Sequence, residues 1–118
     1  MKKDPNIFIY HIAESIDKIK KYSNSMTEKE LMGNDGMQDA IIRRFEIIGE
    51  ATKNLPADFK RKHPEINWKE LADTRNMFIH EYYGVDIKRI FRSVKTQIPA
   101  LKEKLSKISD ELNIKKLL

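Results

Sequence analysis

The chain has 118 residues, a formal net charge of +5 and no cysteine. That length suits one domain with a core of its own. The missing thiols exclude a disulfide framework, a thiolate zinc site and a thiol nucleophile, and the basic surplus favours polyanion partners, nucleic acid first, without requiring them.

The N-terminus, Met1-Lys2-Lys3 before Ile7-Phe8-Ile9-Tyr10, briefly imitates a secretory leader. His11 and Glu14 interrupt the apolar run, however, and no small-residue cleavage site follows. No stretch approaches a membrane-spanning length, so a soluble, cytoplasmic protein is expected. Ile9, Ile12, Ile16 and Ile19 step by three and four, which predicts a helix over about 5–22. Asp4-Pro5 supplies its cap and a first-turn proline. Thr27 with Glu30 is a capping-box pattern for a short helix near 28–32, and Gly33-Asn34-Asp35-Gly36 then breaks the chain. A long helix follows over about 36–54, with Met37, Ile41, Phe45 and Ile48 on one stripe. Ile42, Ile47, Gly49 and Ala51 widen its apolar surface, so it needs two neighbours, in its own fold or in a partner subunit.

Leu55-Pro56 opens a short helix closed by His63-Pro64. Asn67 and Glu70 make the next capping pattern, for a helix from Trp68 to about Ile79 or Glu81. Gly84 breaks that helix and Asp86 caps the last one, in which Ile87, Ile90, Val94, Ile98, Leu101, Leu105, Ile108 and Leu112 alternate by three and four. Pro99 inside this pattern should bend it or divide it into two. There is no strand-like alternation, internal repeat or low-complexity segment. The expected fold is all-α, an up-and-down antiparallel bundle of four to five helices, forming one domain over 1–118 with a basic tail from about 110.

Chemistry concentrates in the segment from Asp73 to Asp86, where an arginine, an amide, a histidine and two tyrosines fall close together. On a helix Asn76 and His80, four apart, share a face. Arg75 and His80 are about 140° apart around the axis and about 7.5 Å apart along it. A long arginine side chain can swing toward the imidazole, while Met77, Phe78 and Ile79 can bury the other side. An imidazole exchanges a proton near neutral pH. A guanidinium clamps a phosphate and stabilises the charge that builds as it is attacked. RNA brings its own nucleophile, the 2′-hydroxyl, so the pair can cut RNA to a 2′,3′-cyclic phosphate and a 5′-hydroxyl with no metal or cofactor. The plainer reading is structural: a histidine favouring the helix C-terminus and an arginine paired with Asp73 or Glu81.

Arginine, a polar residue, three more residues and histidine is the signature of HEPN ribonucleases, and Arg75, Asn76 and His80 occupy it. His80-Glu81-Tyr82 matches the narrower HepT pattern, and Tyr83-Gly84-Val85-Asp86 looks like its continuation. Arg44-Phe45-Glu46-Ile47-Ile48-Gly49-Glu50-Ala51 resembles the family's long-helix block. His63-Pro64-Glu65-Ile66-Asn67-Trp68 resembles its pre-motif turn, and Ile98-Pro99-Ala100-Leu101 its late proline. The resemblance covers about residues 5–110.

It implies a homodimeric bundle that brings two arginine–histidine motifs to one composite cleft and acts as a metal-independent RNA endonuclease. Arg75 and His80 would be catalytic and Asn76 supporting. HepT-like toxins are paired with a minimal nucleotidyltransferase antitoxin that modifies the motif tyrosine with AMP. Carried over, that tyrosine is Tyr82, with Tyr83 left to packing. The alternative is a non-catalytic HEPN subunit that positions a partner nucleotidyltransferase or its substrate.

Other charged and aromatic residues read less sharply. Arg43 and Arg44 begin a solvated, salt-bridged face with Glu46 and Glu50, although either arginine could touch RNA. Glu50 has no assigned role, and Gly49 and Ala51 suit close helix packing. His63 suits a cap, Trp68 an anchor for the motif helix, and His11 has no nearby partner motif. Lys88, Arg89, Arg92, Lys95, Lys102, Lys104, Lys107, Lys115 and Lys116 could track an RNA backbone or simply be solvated.

Overall fold

A computed structural model describes residues 4–80 and 86–111. Among them are seven helices: α1 (Pro5–Ser23), α2 (Glu28–Met32), α3 (Asp35–Asn54), α4 (Ala57–Lys62), α5 (Trp68–His80), α6 (Ile87–Lys95) and α7 (Gln97–Glu111). The five longer ones correspond to the expected bundle, and α2 and α4 are single-turn links between them. The protein is all-helical.

Local chemistry sets the boundaries. The Asp4 carboxylate accepts from the Asn6 amide at 2.9 Å, with Pro5 in the first turn. Thr27 and Glu30 form the reciprocal capping box. Asn34 accepts from the Met37 amide, so α3 begins at Asp35, and Asp86 accepts from the Lys88 amide at 2.9 Å. The last rod is divided rather than bent. The break falls at Thr96, and Pro99 lies in the first turn of α7, where its missing N–H has no intrahelical acceptor to lose.

The core is a ladder of isoleucines. Ile9, Ile12, Ile16 and Ile19 of α1 are fully buried, as are Ile90 of α6 and Leu105 and Ile108 of α7. Each such side chain contributes roughly 1.5–3 kcal/mol of burial. The broad apolar surface of α3 finds both its neighbours within the fold, α1 on one side and α5 on the other. Ile41, Phe45 and Ile48 are buried there, and Ile42 and Met37 are half-buried at the margin. No described helix is long and apolar enough to cross a membrane. The expected basic tail lies outside the described residues from 112 onward.

Candidate active site

The helix that carries the motif is pinned at both ends. At its start the Asn67 side chain accepts from the Glu70 amide at 3.0 Å. Trp68 is buried, and its indole Nε1 donates to the His63 carbonyl at 3.0 Å, so it does anchor the motif helix. Near its end Phe78 is buried edge-on against Phe45 of α3, with ring centroids 5.2 Å apart. The middle turn between these anchors carries polar groups. The Thr74 hydroxyl donates to the Glu70 carbonyl at 2.9 Å, and Gln97 at the start of α7 donates to the same hydroxyl at 3.2 Å.

Arg75 projects from this middle turn across α3. Its stem lies on the bare backbone of Gly49, and a Cβ there would collide with the arginine's Cβ and Cγ. Beyond the glycine, Nη2 donates to Glu50 Oε1 and forms an ion pair with it. Nη1 donates to Asn76 Oδ1 at 2.8 Å. The Nε–H is buried with no hydrogen-bond partner among the described residues. Such a group costs about 1–3 kcal/mol. That cost is characteristic of a site that fixes the head of a side chain at the expense of its neck. A guanidinium has five N–H groups. With two engaged and Nε buried, two Nη hydrogens remain for an incoming oxyanion, and the arginine side chain keeps 26% of its surface exposed.

Pairing of Arg75 with Asp73 does not occur. Asp73 accepts from Lys69 at 2.8 Å, a bond that holds the lysine above its usual pKa, and Arg75 turns to Glu50 instead. Asn76 is exposed beside Arg75, and His80, four residues on, is exposed at the end of α5. No hydrogen bond joins Arg75 to His80 among the described residues. Glu81, Tyr82 and Tyr83 lie outside the described residues.

Sequence reasoning missed Glu50 as the partner of Arg75, because it was grouped with Arg43 and Glu46. Those two pair with each other at 3.4 Å, and Arg44 reaches Glu14 of α1 at 3.8 Å. The available signal was a carboxylate flanked by the buried Gly49 and Ala51. His63 is buried as the C-terminal cap of α4, against Phe59 and with Nδ1 3.3 Å from Glu65, which suits its capping role. His11 is exposed on α1 beside the rings of Phe8 and Tyr10. Lys88, Arg89, Arg92, Lys95, Lys104 and Lys107 are exposed, and Lys102 is half-buried. The neighbouring Lys20 of α1, then burial, holds the Lys102 pKa below its usual value.

The sequence profile described as ribonuclease HepT-like matches residues 12–108. The chain is 43% identical over 108 residues to a Thermococcus cleftensis protein named as a ribonuclease HepT, covering 92% of this chain and 98% of that one. It is 47% identical over 113 residues to a Methanocaldococcus jannaschii protein named as a gamma-glutamylcyclotransferase and RNase. That match covers 96% of this chain, which spans only 51% of the relative. A second protein of that organism, named as an RNase, is 38% identical over 97% of this chain and 98% of its own. No solved structure matches the chain.

Proposed function

The chain belongs to the ribonuclease HepT-like family, and from that premise we propose that it is a metal-independent RNA endonuclease, the toxin of a toxin–antitoxin pair. The observation that carries this reading is the Arg75 guanidinium, held at the surface of α5 by Glu50 and Asn76 with two donors spare, on the same helix as an exposed His80. A phosphate can take those donors without any movement of the arginine's stem.

In the proposed reaction, His80 Nε2 or Nδ1 removes the proton of an RNA 2′-hydroxyl. The oxygen attacks the adjacent phosphorus, and the P–O5′ bond breaks. A second imidazole, His80 of the partner protomer, returns a proton to the leaving 5′-oxygen. The products are a 2′,3′-cyclic phosphate and a 5′-hydroxyl. Arg75 neutralises the charge on the non-bridging oxygens, and Asn76 fixes the arginine's orientation. One protomer supplies one motif histidine, so a homodimer with two facing motifs supplies both acid and base.

Tyr82, two residues after His80, is the proposed switch. A cognate minimal nucleotidyltransferase would transfer AMP from ATP to the phenolic oxygen, with loss of the phenol proton and departure of pyrophosphate. The added nucleotide and its negative charge would compete with an RNA phosphate for the motif.

Purified protein should cut total RNA in EDTA and leave cyclic phosphate ends. His80→Ala should lower the rate about 10³-fold, the middle of the range for loss of a general acid–base. Normal cleavage by a folded, dimeric His80→Ala protein would overturn the assignment. Mass spectrometry after incubation with the cognate transferase and ATP should place AMP on Tyr82, and an unmodified Tyr82 would remove it as the switch.

A further inference from the structure

Arg75 opens onto a groove of about 500 Å³ between the end of α3, α4 and the start of α5. Its floor is small and its rim is cationic. Gly49, under the Arg75 stem, lines it with Thr52 and Ala72, while Lys53, Lys60 and Lys69 stand around it. No carboxylate is among its lining residues. Two other charged grooves are of mixed sign. The one beside α7 sets Lys62, Lys104 and Lys107 against Glu65, Glu103 and Glu111, and the one on α1 sets Lys18 and Lys21 against Glu14 and Asp17. The charged residues lining the groove that contains Arg75 are thus cations alone, with Asp73 and Glu50 pairing Lys69 and Arg75 from outside that lining.

The lysines are placed for more than solubility. Lys60 Nζ donates to the Thr52 carbonyl at 3.3 Å, which parks its ammonium over the last turn of α3. An ammonium has three donors, so two remain. Lys69 precedes Arg75 by six residues, about 9 Å along α5. Its ammonium donates to Asp73 at 2.8 Å and keeps two further donors, which at that distance would meet a neighbouring phosphate rather than the one Arg75 holds. Lys53 stands one turn beyond Gly49 on α3, on the opposite bank.

We propose that this groove seats the RNA phosphates flanking the scissile one, with Lys53, Lys60 and Lys69 as their contacts. The inference rests on the RNA-cleavage reading and adds the path of the strand, which runs away from His80 toward α4. Ammonium groups are point charges that read phosphates and not bases, so binding along this path is indifferent to sequence. The basic face of α6 and α7 is the competing path.

The test is binding of a fully 2′-O-methylated, uncleavable single-stranded RNA to the full chain across a salt series, alongside cleavage of the unmodified RNA. Replacing Lys53, Lys60 and Lys69 together with Gln should weaken binding about tenfold or more at moderate salt. The log K against log salt slope should become shallower by about 2, at roughly 0.7 per single-strand phosphate contact. KM should rise with kcat nearly unchanged, and the triple Arg variant should restore the slope. Replacing Lys88, Lys95 and Lys107 with Gln removes equal charge from the other face and should leave the slope unchanged. If that second variant flattens the slope and the first does not, the groove is rejected and the strand runs over α6 and α7. If the wild type cuts RNA and the first variant shows wild-type KM and slope, the groove fails while the nuclease stands. If the wild type binds with a lysine-dependent slope but never cuts, the groove stands and the nuclease reading fails.

Discussion

α1 and α5 are both amphipathic helices packed against α3, yet they are built for opposite purposes. α1 spreads its burial along its length, with isoleucines at four of its seven buried positions. α5 buries three residues, Trp68 and Leu71 at one end and Phe78 near the other, and leaves its middle turn to polar groups. The first arrangement maximises apolar area removed from water. The second gives up area in one turn so that an arginine can cross the neighbouring helix at its glycine. On the proposed function, stability and chemistry fall to different helices, and substitutions should separate them.

The largest separation expected after loss of His80 comes from Ile12→Ala. It should cost about 3 kcal/mol of stability through the cavity it leaves. For a domain of this size that lowers Tm by about 12 °C. The kcat of the protein that remains folded should be unchanged. Gly49→Ala is the converse. The added methyl meets the arginine's stem, so cleavage should fall roughly 30- to 100-fold, equivalent to about 2–3 kcal/mol of barrier. Its overpacking cost should be about 1–2 kcal/mol, measured by urea unfolding. If Ile12→Ala abolished kcat, or Gly49→Ala left it intact, the division of labour would collapse.

Glu50→Gln keeps the shape and one acceptor but removes the charge that holds Arg75. Cleavage should drop about tenfold, or about 1.4 kcal/mol, with KM rising more than kcat falls. Little change in Tm is expected, because an ion pair this exposed contributes only about 1 kcal/mol or less. Smallest of all is Thr27→Ala at the capping box, far from the chemistry. It should cost about 1 kcal/mol, or about 4 °C in Tm, and nothing in rate.

Much of the bundle could be read before the structure because its signals are local. Asp4, Thr27, Asn67 and Asp86 each cap a helix within three residues of their own position, and the isoleucine stripe of α1 declares its buried face by spacing alone. The division of the last rod could be expected from Pro99, but its placement at Thr96 could not. Proline constrains the turn before it and leaves the exact break to packing, here including the Thr74–Gln97 contact between α5 and α7. The site was half legible. Arg75, Asn76 and His80 stand together in sequence and on one helix. Glu50 is 25 residues from Arg75, and only the crossing of α3 and α5 brings them together. No periodicity encodes that crossing; a charge beside a buried glycine was its only trace.

The bare backbone at Gly49 has a consequence for descent. A methyl group at that position and an arginine at 75 compete for the same space, so the two residues share a fate. A copy that keeps the arginine is strained by a side chain opposite it, and a copy that has lost the arginine is not. On the proposed role of Arg75, a side chain at position 49 is expected to mark copies in which the arginine no longer needs this crossing.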